Sequence, residues 1–120
     1  MKISQINESR LIMTVNVFLD DYRHCPQGYI LAKDIDECID LLEKYSISHL
    51  SLDHDLECKT RNGLMLVRYM VKHKLFAEFI TIHSANSVAG KQMFKYLKEA
   101  QNENLMPGTI RISLRPLPLR

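Results

Sequence analysis

The chain has 120 residues, 46% apolar and 25% charged, with a formal net charge of +2. That length supports one domain with a real core and not two, and so small a charge, without basic runs, does not by itself point to nucleic acid. No apolar run approaches the ~20 residues needed to span a bilayer, the leading residues lack a signal-peptide pattern, and Cys25, Cys38 and Cys58 lack metal-ligand spacing, so the expectation is a reduced, cytoplasmic protein.

Residues 1–13 are weakly patterned and read as an N-terminal arm or an extra edge segment, with the domain proper at 14–120. A first strand, Val15 to Leu19, runs into Asp20 and Asp21. Pro26 and Gly28 mark the next segment as a loop, and Tyr29 to Ala32 is a short second strand. Asp34 with Glu37 three residues on resembles a capping box. Ile35, Cys38, Ile39 and Leu42 then recur at helical spacing, so that helix buries one stripe.

A third strand, Ile47 to Leu52, leads into Asp53, His54 and Asp55. Asn62 and Gly63 open a helix through about His73, with Leu64, Val67 and Val71 on one face. A fourth strand, Phe79 to Ile82, ends at His83, Ser84, Ala85 and Asn86, and Ser87 is placed to cap a third helix bearing Met93, Leu97 and Ala100. After a polar connector, a fifth strand from Thr109 to Leu114 meets Arg115 and Pro116. Helices between most strands imply an α/β fold with a doubly wound parallel sheet of about five strands.

In such a sheet the carboxyl ends of the strands share one rim, where ligands bind. The chemistry of this chain is concentrated there. Asp20, Asp21, Asp53 and Asp55 are oxygen donors suited to a hard cation, Mg²⁺ or Mn²⁺, and so many carboxylates crowded together need a compensating charge to stay ionised. Asp55 either joins that rim or caps its loop. His54 and His83 supply imidazoles, the side chain best suited to take a proton from water or deliver one to a leaving oxygen. Ser84, Asn86, Arg115 and Arg23 are candidates for phosphate oxygens, beside the N–H groups opening the third helix; capping alone is the plainer reading of Ser84, and solvation that of Arg23. Cys38 lies on a core stripe, and Cys25 lacks an evident base.

Taken in order, these strings resemble a response-regulator receiver domain, a flavodoxin-like fold, over residues 14–118. Within that superfamily Val17 to Arg23 (VFLDDYR), Leu50 to Leu56 (LSLDHDL) and His83 to Asn86 (HSAN) are similar to the cyclic-phosphate processing receiver family. Against an ordinary receiver, only seven residues separate Asp21 from Tyr29, too few for the usual first crossover helix. The terminal helix is also expected to be missing, and Arg115 stands where a receiver has lysine.

The resemblance implies metal-assisted opening of a cyclic phosphate, in a nucleotide or at an RNA end such as RNA repair handles, with Asp53, His54 and His83 as catalytic residues. Two other classes stay open. Asp53 is the position at which a signalling receiver accepts a phosphoryl group, and a non-catalytic module would use the same pocket to hold a nucleotide or a protein.

Overall fold

The computed structural model describes residues 13–56 and 60–117; the expected N-terminal arm, Cys58 and Pro118 lie outside them. The elements run β1 (Thr14–Leu19), β2 (Ile30–Ala32), α1 (Ile35–Lys44), β3 (Ser46–Leu52), α2 (Gly63–His73), β4 (Ala77–Ile82), α3 (Ser87–Asn102) and β5 (Arg111–Leu114). All five strands are parallel, in the order β2-β1-β3-β4-β5, which is the flavodoxin-like order. β4 begins two residues earlier than its apolar run suggests. β5 begins two residues later, because the Ile110 N–H turns back to the Pro107 carbonyl.

The caps explain the helix starts. Asp34 accepts from the Glu37 N–H at 2.8 Å, while Glu37 accepts from the N–H of Lys33, one residue upstream of the usual box. Asn62 caps α2 through the Met65 N–H, and Lys74 ends that helix in the left-handed region at φ 57°. α3 is capped by Asn86, which accepts from the Ala89 N–H at 3.1 Å. Ser87, the expected cap, is instead the first helical residue.

Three crossovers, β2 to β3, β3 to β4 and β4 to β5, move the same way across the sheet. Right-handed connections therefore place α1, α2 and α3 on one face. Val17, Leu19, Leu50, Leu52, Ile80 and Ile82 meet Cys38, Leu42, Leu66, Met70, Met93 and Leu97 there in a single core. Burial pushes the Cys38 thiol up to about 12, consistent with a purely structural role.

The opposite face carries no helix among the described residues, and the connection from β1 to β2 contains none, as its length implied. Asn16, His49, Thr81, Arg111 and Ser113 on that face stay exposed or half-exposed, and buried Phe18 belongs to it rather than to the core cluster. The loop from β1 to β2 takes the place of the missing helix. Its Tyr29 meets the Phe18 ring edge-on, with centroids 6.3 Å apart.

Candidate functional site

Strand register builds the site. Leu19 pairs with Leu52, Leu52 with Ile82, and Ile82 with Leu114. The next residue of each strand is therefore Asp20, Asp53, His83 and Arg115, side by side along the rim. A bulge makes this alignment: between Val15 and Val17 the partner strand advances from Ile47 to Leu50, and Asn16 accepts the His49 N–H there at 3.2 Å. Without that extra residue, Asp53 would be out of step with Asp20.

Asp20, Asp53 and His83 are all buried, and one ligand atom from each lies within 4.8 Å of the other two. Asp20 is held from four directions. Its Oδ1 accepts from the N–H groups of Tyr22 and Arg23 at 2.8 and 2.9 Å, and its Oδ2 from the Arg23 guanidinium at 2.8 Å and His83 Nε2 at 2.9 Å. Burial pushes this carboxyl up, but the bonds from His83, Arg23 and Tyr22 together outweigh it and hold Asp20 well below the usual carboxylate range. An ionised carboxylate only accepts, so Nε2 carries the hydrogen of the His83 bond.

Asp53 is different. Its Oδ1 accepts from the His54 N–H at 2.8 Å, and its Oδ2 meets the Arg23 guanidinium only at 3.4 Å. Burial and then the charge of Asp20 raise its pKa, against the weaker pull of His83 and Arg23. One guanidinium thus serves two buried carboxylates, and the pair retains a demand for positive charge.

His83 has no exposed surface. Its ring stacks on Phe18 with centroids 4.5 Å apart, and Nδ1 shares a hydrogen with Ser51 Oγ at 2.7 Å. Both ring nitrogens are engaged. His54 is only slightly exposed, and its Nδ1 lies 2.6 Å from Asp55 Oδ1. Asn86 donates to both Asp55 oxygens at 3.4 Å. Asp55 therefore joins the rim through His54 rather than through the buried carboxylates.

The remaining expected residues spread out around this cluster. Asp21 lines a separate cleft of about 420 Å³ with Lys33, Asp34, Asp36, Leu56 and Arg61. Ser84 is buried and its Oγ accepts the Asn86 N–H at 3.0 Å, so it shapes the turn into α3. Arg115 is exposed at the end of β5 and lines a groove that also reaches Ser51 and His83.

Two residues carry more than the sequence suggested. Arg23, read as a solvated loop residue or a phosphate ligand, lies inside the carboxylate cluster, and its other nitrogen donates to the Leu117 carbonyl at 2.9 Å. For Ser51 the sequence offers one signal, strand alternation, since it lies two residues before Asp53 and hence on the same face. Gly63 is required by close approach, since a Cβ there would lie 2.4 Å from the Asp53 carbonyl oxygen and 2.9 Å from the His54 Cα.

A parallel α/β sheet whose rim gathers two buried carboxylates and a histidine is a receiver-like domain. The sequence comparison agrees: residues 15–99 match the family described as the cyclic-phosphate processing receiver domain, and the chain belongs to that family. No curated protein shows significant similarity to it. Among the described residues no helix is long and apolar enough to cross a membrane.

Proposed function

We propose that this chain is a metal-assisted phosphoesterase that opens a cyclic phosphate on a nucleotide or an RNA end. The observation that carries the proposal is the convergence of Asp20, Asp53 and His83 within 4.8 Å, with Asp53 under-compensated. Two carboxylates and an imidazole fit a divalent ion of intermediate softness, so Mn²⁺ suits the set better than Mg²⁺, which prefers oxygen alone. Asp20, Asp53 and His83 would hold the ion, with the His83 hydrogen moved from Nε2 to Nδ1, where Ser51 Oγ can accept it, so that Nε2 is left to bind. When bound, it would offset phosphate charge and make a coordinated water more acidic.

The chain's own groups divide the rest of the work. His54, oriented through Nδ1 by Asp55, uses its other nitrogen to move the proton: from the attacking water, then onto the ring oxygen released as its bond to phosphorus breaks. Asp55 stabilises the imidazolium in between. His83, buried and engaged at both nitrogens, holds the cluster together and leaves proton transfer to His54. Arg115 and the first N–H groups of α3 face the equatorial oxygens, where positioned charge contributes most.

The test is a panel of 2′,3′- and 3′,5′-cyclic nucleotides incubated with protein and Mn²⁺ or Mg²⁺ and followed by ³¹P NMR. The expected product is a ring-opened monophosphate, formed only with metal. Transfer of phosphate from a small phosphodonor to Asp53, without ring opening, favours the signalling class instead.

A further inference from the structure

We propose that the helix-free face of the sheet binds a nucleobase, so that the phosphate ester taken by the neighbouring rim is a nucleotide and not a simple cyclic phosphate. The inference rests on the reading above and names its substrate class. Register sets a row across this face: Phe18 pairs with Ser51, Ser51 with Thr81, and Thr81 with Ser113. Parallel strands covered on both faces are built from apolar residues on each. Three hydroxyls in a row contradict that pattern. A helix packed over Thr81 and Ser113 would strip their hydroxyls of water without replacing the hydrogen bonds, so the face suits an occupant with polar atoms of its own.

A groove of about 250 Å³ lies over this row, with Phe18 and Tyr29 among its walls, Ser51 and Thr81 in its floor, and His83 and Arg115 towards the rim. That is less than the ~300–1,000 Å³ of a pocket for a whole drug-sized ligand, and it is sized for one ring system whose substituent continues outward. Tyr29, with Pro26 and Leu117, supplies an apolar wall, the Thr81 hydroxyl offers a donor and an acceptor to a ring edge, and the Arg115 guanidinium can stack or pair with an anion. Continuity decides the occupant. Because His83 lies both in the groove and in the buried cluster, a base seated here directs its ribose phosphate to Asp53 and Arg115.

The experiment compares binding of adenosine 2′,3′-cyclic phosphate and the base-free glycerol 1,2-cyclic phosphate to the full chain by calorimetry. The nucleotide is expected to bind about tenfold or more tightly, the scale of one base resting on one aromatic ring. Thr81→Val, which keeps shape and removes one floor hydroxyl, should move that ratio towards one. In the unaltered protein, amide resonances of Phe18, Ser51 and Thr81 should shift with the nucleotide and stay still with the glycerol ester. Equal affinities, or shifts confined to the cleft at Asp21 and Arg61, would overturn the base site. Ring opening that ignores the base removes the base site and leaves the hydrolytic reading standing. Base-dependent binding without ring opening supports the base site and removes the hydrolytic reading.

Discussion

His83 Nε2 and Asp20 Oδ2 face each other at 2.9 Å with both side chains fully shielded from solvent. This contact joins two strands that are not sheet neighbours, because β3 runs between β1 and β4. The imidazole therefore reaches across the end of β3, and Asp53 is enclosed between its neighbours. The histidine is as much a structural brace as a chemical group.

From that brace follows an asymmetry between the two histidines. His83→Ala leaves the Asp20 carboxylate short of a buried donor and opens space beside Phe18, so a loss of roughly 3–5 kcal/mol is expected, the scale for breaking a buried pair. His54→Ala should cost less, about 1 kcal/mol, because its ring is largely shielded but lies outside the core cluster. Its turnover of a cyclic phosphate should fall by about 10²–10⁴-fold, as for a lost general acid or base. Chemical denaturation and initial-rate measurements on the two variants check both halves. Equal stability of the two would contradict the brace.

The carboxylates have opposite linkage to pH. The Asp20 pKa is depressed in the fold, so it contributes stability present above its ordinary value of 3.8 and lost as pH falls through the lower folded value. The Asp53 pKa is raised, so the native state holds its proton more tightly, and stability falls as pH rises through the folded value. Asp53→Asn should accordingly melt at a higher temperature than wild type at pH 7 in the presence of a chelator. The advantage should shrink as pH falls towards 3.8, where Asp53 is itself protonated. Thermal melts across that range check the sign, and a lower melting temperature for the variant at pH 7 would contradict it.

Gly63→Ala tests how the site is built. The added methyl would lie 2.4 Å from the Asp53 carbonyl oxygen and 2.8 Å from Met93 Cε. Met93 can swing aside, but the backbone of Asp53 and His54 cannot. A destabilisation of about 1–3 kcal/mol is expected from the overpacking, together with weaker Mn²⁺ binding as the strand end is displaced. Unchanged metal affinity would mean that the close approach does not position Asp53.

Much of this was legible in the sequence. Alternating apolar strands and capped amphipathic helices gave the element order, and in a parallel sheet strand-final residues must share a rim. Asp20, Asp53 and His83 could thus be placed together from their positions alone. The position of Arg23 could not, because the conformation of a helix-free crossover depends on contacts with Asp20, Asp53 and Leu117 that no local pattern encodes. His83 read as a rim residue because its burial depends on Phe18 and Ser51 from two other strands. Asp21 and Asp20 look equivalent as a dipeptide, but consecutive residues leave a strand end on opposite sides, and only Asp20 turns towards His83.

Titration of Mn²⁺ into wild type and Asp53→Asn, followed by electron paramagnetic resonance of the free ion, tests the proposed metal centre most directly. Wild type is expected to bind one ion, and the variant at least about tenfold more weakly, since even outer-shell partners of a metal site are worth 10–100-fold. The bound ion should also raise the melting temperature of wild type but not of the variant. Indistinguishable Mn²⁺ binding by the two proteins would contradict a metal centre at Asp20, Asp53 and His83.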